Sequence, residues 1–228
     1  MLFCVIMVTI YCLEVKNMAY KIYLFDFDYT LANSEIGIVK CFKLLMQQEY
    51  YSIPPDEEIK RTIGMPMIEA IRVLFKEDDD ALLHELRDKY TVFADKFMTE
   101  NTKLYPQTIP ALKKIKEAGA KTAIISSKTR RRIMQTLTRD KITDLVEFVI
   151  GSEDVKSHKP SPEGILMAIE RFKVAKSDVL YIGDNVIDGG AAQNAGVDFA
   201  AVLTGNNVRE DFVKMPYVKI MNSLDELL

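Results

Sequence analysis

Apolar residues along the chain gather into short continuous runs separated by stretches of helical spacing, beginning with KIYLFDF (21–27). Runs of this kind, bounded by turn residues, predict strands buried on both faces, as in a parallel sheet covered by helices on each side. KTAIISS (121–127), FVIG (148–151), DVLYIGD (178–184) and FAAVLTG (199–205) repeat the pattern, and YVKIMN (217–222) is a weaker sixth. Helical spacing fills the gaps: IPALKKIKEAG (109–119) ends on a C-capping Gly119, TRRRIMQTLTR (129–139) and VIDGGAAQNAG (186–196) follow, and SPEGILMAIERF (161–172) carries a proline in its first turn. This alternation predicts an α/β fold with a doubly wound, Rossmann-like parallel sheet.

One interval breaks the rhythm. Roughly ninety residues separate the first strand from the next, and they show helical periods without a convincing strand. A second unit is expected there, an inserted α-helical cap over residues 34–102, with helices at 34–50, 66–76 and 80–98. IPPD (53–56) and the acidic EDDD (77–80) read as breaks, the latter as a solvated turn. The core domain is then 18–33 together with 103–228. The first seventeen residues, MLFCVIMVTIYCLEVKN, lack a basic leading region and a small-residue cleavage site and are short for a membrane span. They read as an extension that is not part of the native protein, with Met18 as the start.

Composition narrows the function. At 48% hydrophobic and 28% charged the chain is of ordinary globular make-up. Thirty basic against 33 acidic residues leave a net charge of −3, which gives no general attraction to nucleic acid or an anionic membrane. Three cysteines, Cys4, Cys12 and Cys41, do not make a secreted disulfide framework, so a cytoplasmic setting is expected. Only two histidines occur, His84 and His158, which removes zinc sites built on several imidazoles. Chemistry therefore falls to carboxylates.

Four polar segments lie at or just beyond the carboxyl ends of predicted strands, where open α/β sheets bind ligands. They are Asp26-Phe27-Asp28-Tyr29-Thr30, Ser126-Ser127-Lys128, His158-Lys159-Pro160 and Gly183-Asp184-Asn185-Val186-Ile187-Asp188. Asp26 follows an apolar run, and a carboxylate desolvated there is costly unless cations face it. Asp28 falls on the same side two residues later, so the pair serves either one substrate in two roles or as turn-capping carboxylates. Asp184 with Asp26 offers hard oxygen ligands suited to Mg2+. Asp188, one helical turn on, either supports the site from behind or is an ordinary helix-start carboxylate. Ser126 and the N–H groups after it stand at a helix N-terminus, and Lys159 supplies a point charge for phosphate oxygens. His158 and His84 read as a loop and a helix-surface histidine.

DFDYT, IISSK, HKPSPE and GDNVID, in this order, resemble the four motifs of the haloacid dehalogenase-like superfamily, over about Tyr20 to Gly205. The likeness is greatest to its phosphoglycolate phosphatase and β-phosphoglucomutase branch, which carries a helical cap between the first and second motifs. The resemblance implies Asp26 as nucleophile, Asp28 as general acid and base, Ser126 and Lys159 as phosphoryl binders, and Asp26, Asp184 and the Asp28 carbonyl as magnesium ligands. It also implies a small phosphomonoester as partner and phosphatase activity, with a phosphosugar mutase or a non-catalytic phosphometabolite-binding protein as alternatives. Thr30 and Ser127 in the core, and Arg61, Thr62 and Gly64 in the cap, are the expected substrate contacts, with Arg61 equally readable as a solvated helix end. Two positions depart from the DGTLxDS form: Tyr29 replaces the usual glycine and Asn33 the usual aspartate.

Overall fold

The computed structural model describes residues 20–227, so the expected extension at 1–17 and the Met18 start lie outside the described residues. Six parallel strands form the central sheet: β1 (Ile22–Phe25), β4 (Lys121–Ile125), β5 (Val149–Ile150), β6 (Val179–Gly183), β7 (Asp198–Val202) and β8 (Lys219–Met221). Their order is β5-β4-β1-β6-β7-β8. The chain builds outward from β1 on one side, then crosses back to β6 on the other, so the strand order reverses beside β1.

Alternation along each strand fills two separate cores. Tyr23, Phe25, Ile124, Leu180, Ile182, Ala200 and Val202 face one side, packing with Leu112 and Ile115 of α5 (Thr108–Glu117) and Ile133 and Leu137 of α6 (Arg130–Arg139). Ile22, Leu24, Ala123, Ile125, Val179, Tyr181, Phe199 and Ala201 face the other. They meet Ile165 and Ala168 of α7 (Glu163–Phe172), Ala191, Ala192 and Ala195 of α8 (Val186–Ala195), and Phe212 of the short α9 (Arg209–Phe212). Period-two patterning thus makes the sheet doubly covered, as the sequence predicts. Gly119 takes a φ of 81° just past α5, where the left-handed turn ends that helix.

Between β1 and β4 lie α1 (Glu35–Gln48), α2 (Asp56–Lys60), α3 (Met67–Phe75) and α4 (Asp80–Phe97). Their buried positions follow helical spacing: Ile38, Phe42 and Leu45 on α1, and Leu83, Leu86, Tyr90 and Ala94 on α4, close a third apolar cluster with Ile59, Ile71 and Phe75. Truncating fully buried Leu83 to alanine should cost about 2–5 kcal/mol. Asp79 of the acidic run accepts a hydrogen bond from Leu82 N at 2.9 Å and starts α4 as its N-cap.

Three short elements are not visible in the apolar pattern. α2 begins at Asp56 directly after the Pro54-Pro55 break, its first turn all acidic in accord with the helix dipole. The two-residue strands β2 (Ala32–Asn33) and β3 (Lys103–Leu104) pair antiparallel, Ala32 with Leu104 and Asn33 with Lys103, where the chain enters and leaves the helical unit. Side-chain ties also join α6 to α4 and to the segment after it: buried Arg132 donates to Asp95 and to the Thr91 carbonyl of α4, and Arg139 donates to the Thr102 carbonyl beyond it at 2.8 Å. No helix among the described residues is long and apolar enough to cross a membrane.

Candidate active site

The turn after β1 is built tightly. Asp26 N still bonds Ile182 O at 2.9 Å, but the next residues fold back, with Leu31 N and Ala32 N both donating to Phe27 O at 2.9 and 3.0 Å. Tyr29, at the position where the resembled motif has glycine, takes a left-handed φ of 59°. A non-glycine residue there carries strain of order 1–3 kcal/mol. Its ring compensates by burying itself among the inserted helices, and its hydroxyl donates to Glu35 Oε2 at 3.1 Å. The turn delivers Asp26 and Asp28, 3% and 8% exposed, to the carboxyl end of the sheet.

Asp184 and Asp188 arrive from the end of β6 and the first turn of α8. Asp26, Asp184 and Asp188 each bring a carboxylate oxygen within 4.8 Å of the others. Thr30, fully buried, donates through Oγ1 to Asp184 Oδ1 at 3.0 Å, so the hydroxyl that the sequence assigns to substrate is used inside the protein. Asp188 is also fully engaged. Its Oδ1 pairs with Lys159 Nζ at 2.5 Å and lies 3.1 Å from the Tyr181 hydroxyl, and its Oδ2 accepts from Asn185 N at 3.1 Å. Close packing also requires a glycine behind Asp184: a Cβ on Gly205 would stand 1.9 Å from Asp184 Oδ2.

Lys159 Nζ stands 2.9 Å from Asp26 Oδ1, yet no aligned hydrogen bond reaches that buried oxygen. The two observations agree if the ammonium neutralises Asp26 by charge while donating to Asp188 and Tyr181. Burial, together with Asp188 and Asp28, pushes Asp26 up to about 6 against the opposing charge of Lys159. Burial and the neighbouring Asp188 and Asp26 likewise hold Asp184 well above the usual carboxylate range. For Lys159 burial works against the charge, but Asp188 and Asp26 outweigh it and hold the ammonium well above its ordinary value. Negative charge is in excess here, and Asp26 Oδ1 has a lone pair to spare, a donor set that fits a hard divalent cation.

On the other flank the structure adds a residue that sequence reasoning passes over. Lys128, its side chain 8% exposed, donates to both oxygens of Asp28 at 2.9 and 3.0 Å and to Ser34 Oγ at 3.2 Å. Ser34 Oγ in turn donates to Asp28 Oδ1 at 2.5 Å, and Thr102 Oγ1 lies 3.3 Å from Ser34 Oγ. The residues entering and leaving the inserted helices thus meet at Asp28. Buried Ser126 accepts from Lys128 N at 3.3 Å, which leaves its own hydroxyl proton to donate. Ser126, half-buried Ser127, His158 and Lys159 line a small cavity of about 20 Å³, room for about one water molecule. His158 Nδ1 is buried without a partner, and His84 makes only a local contact to the Asp80 carbonyl at 2.7 Å.

The expected cap contacts divide. Gly64, with φ of 98°, comes close to the site loop: a Cβ there would lie 3.7 Å from Asn185 Nδ2. Asn206, after β7, donates to Lys60 O at 2.8 Å, so α2 and its following turn rest against the core on that side. Thr62 is buried, and its hydroxyl donates to Ile59 O at 2.8 Å, closing the turn after α2. Arg61 is exposed, with no side-chain hydrogen bond or ion pair among the described residues.

Reactive carboxylates held at the strand ends beside the reversal of a doubly wound sheet place the chain among α/β enzymes with an acidic centre. Residues 23–202 match the pattern of the haloacid dehalogenase-like hydrolase family, and the chain belongs to that family. A pyrophosphatase PpaX from Listeria monocytogenes serotype 4a is 31% identical over 173 residues, covering 75% of this chain and 78% of that one. A phosphoglycolate phosphatase from Rhodobacter capsulatus is 30% identical over 190 residues, covering 80% and 84%. The crystal structure of a haloacid dehalogenase-like hydrolase from Bacteroides fragilis superposes with a TM-score of 0.89 at 42% identity, over 92% of this chain and all of that one. The chain is a hydrolase of phosphoester bonds.

Proposed function

We propose that this hydrolase is a magnesium-dependent phosphatase of small phosphomonoesters that works through an aspartyl-phosphate on Asp26. The observation that carries the reading is the meeting of Asp26, Asp184 and Asp188 within 4.8 Å, beside Lys159 and with Asp28 two residues from Asp26. Asp26 and Asp184, with the Asp28 carbonyl, would hold Mg2+, which when bound supplies positive charge opposite the phosphoryl oxygens.

In the first half-reaction the Asp26 carboxylate attacks phosphorus, the phosphorus–oxygen ester bond breaks, and the departing oxygen takes a proton from Asp28 to leave as an alcohol. Lys159 and Ser126 bind the equatorial oxygens and keep the group in line. In the second half-reaction Asp28 takes a proton from water as its oxygen attacks the same phosphorus. Inorganic phosphate leaves and the Asp26 carboxylate is restored. A phosphosugar mutase would share the first half; the hydrolases among the relatives favour water as the acceptor.

Residues 34–102 act in this reading as a lid that encloses the site, supported by both connections lying at Asp28 and by the Asn206–Lys60 contact. An enclosed site suits metabolite-sized substrates and disfavours nucleic acid. The test is phosphate release from phosphoglycolate, pyrophosphate, hexose phosphates and nucleotides, with Mg2+ and with a chelator. Release that needs Mg2+ and disappears in Asp26→Asn supports the reading. Activity that survives in Asp26→Asn overturns it.

A further inference from the structure

We infer that Lys128 is the binding site for a second anionic group on the substrate's leaving portion, and that Asp28 occupies this site until substrate arrives. The inference rests on the phosphatase reading above and names its substrate class: phosphoesters whose leaving group carries an oxyanion close to the scissile oxygen.

The argument starts from donors. An ammonium has three, and Lys128 spends them on Asp28 Oδ1, Asp28 Oδ2 and Ser34 Oγ. Phe27 lies on another side, its ring centroid 5.9 Å from Nζ. A cation so enclosed stays paired, because removing its counter-charge without replacement leaves a buried charge uncompensated. Yet the carboxylate it grips is the group that must give a proton to the leaving oxygen, which requires an Asp28 oxygen to turn toward substrate. The conflict resolves if an incoming oxyanion replaces one Asp28 oxygen at Lys128. The ammonium remains satisfied and the acid is freed in one exchange.

Distance agrees. With one Asp28 oxygen still 2.9–3.0 Å from Lys128 Nζ and the other turned to within about 3 Å of the leaving oxygen, Nζ stands roughly 6 Å from that oxygen. A carboxylate or phosphate attached one or two bonds beyond the leaving oxygen spans that gap. A neutral leaving group offers no replacement and must work against the Lys128–Asp28 pair. Lys159 does not take this role, since it already faces Asp26 and Asp188 on the phosphoryl side.

The test uses the full chain with Mg2+ and three esters: phosphoglycolate, pyrophosphate and 2-hydroxyethyl phosphate, the last a neutral counterpart of the first. Wild type should prefer at least one anionic substrate over 2-hydroxyethyl phosphate by about 100-fold or more in kcat/KM, and which one identifies a carboxylate or a phosphate as the recognised group. Lys128→Met should collapse that ratio toward one, chiefly through a raised KM for the anionic substrate, and Lys128→Arg should recover a substantial part. Equal wild-type rates on neutral and anionic esters overturn the inference and leave the phosphatase reading standing. So does a Lys128→Met variant that slows all three alike. Absence of turnover on every phosphoester removes both. The wild-type comparison needs no variant to fold.

Discussion

Thr30 Oγ1 donates to Asp184 Oδ1 at 3.0 Å, across 154 residues of sequence, so the turn after β1 fixes the carboxylate at the end of β6. Groups that orient a metal-binding carboxylate typically affect metal affinity by about 10–100-fold. Thr30→Val should therefore raise the Mg2+ concentration for half-maximal activity by about tenfold or more, and Thr30→Ser should restore it. A change confined to substrate KM, with metal dependence unmoved, would return Thr30 to the substrate-binding role.

Asp26→Asn should abolish turnover, by at least about 10³-fold, while the protein stays folded, because an amide keeps the shape but does not attack phosphorus. Thermal melting of the variant should be unchanged or higher, since a buried carboxylate in an excess of negative charge has been neutralised. A variant that fails to fold would make Asp26 a structural anchor instead.

Acidity supplies a third measurement. Asp26 holds its proton to about 6 in the folded chain against an ordinary 3.8, so between those values the folded state binds more proton than the unfolded one. Stability therefore falls as pH rises through that window, by up to about 3 kcal/mol from this group. Lys159, raised above its ordinary value, keeps its full contribution there and does not obscure the trend. In a chelator, the Tm of wild type relative to Asp26→Asn should drop between pH 4 and 6, and added Mg2+ should raise Tm more at pH 7 than at pH 5. A relative rise with pH would contradict the assigned direction.

Tyr29 offers a fourth. Tyr29→Phe removes only the bond to Glu35 and should cost about 0.5–1.5 kcal/mol. Tyr29→Gly relieves the left-handed backbone but loses a ring that is 5% exposed, and burial of an aromatic ring of that size contributes about 2–3 kcal/mol. The net should be a loss of about 1 kcal/mol by denaturant melting, with looser docking of the inserted helices seen as faster amide exchange in α1. Protection that stays unchanged would separate Tyr29 from the docking of the inserted helices.

The strands and strand-end residues were legible because their signals are local: apolar runs set the sheet, and Asp26, Ser126, Lys159 and Asp184 each close or follow one. Partner choice was not. Lys128 stands in the Ser126-Ser127-Lys128 segment without a role of its own until the sheet order sets β4 beside β1 and brings it to Asp28. Thr30 and Tyr181 spend their hydroxyls across the site, which no spacing reveals. α2 is a single acidic turn, too short for a period, and β2 and β3 are two residues each, with pairing that depends on chain ends some seventy residues apart. Arg61, a cation near the expected site, is left exposed by the fold, which suits both of its readings, a substrate contact and a solvated helix end.

The β2–β3 pair has a consequence for the history of such enzymes. Ala32 sits opposite Leu104, and residues facing each other across an antiparallel pair have Cα atoms only about 4.5–5.5 Å apart. To the sheet, everything between them is a loop with nearly touching ends. A replacement segment of any length, down to a short turn, can be spliced at that doorway without shifting a strand. In the proposed reading the lid is therefore exchangeable as a cassette, while Asp26, Lys128, Lys159 and Asp184 keep their places on the sheet domain.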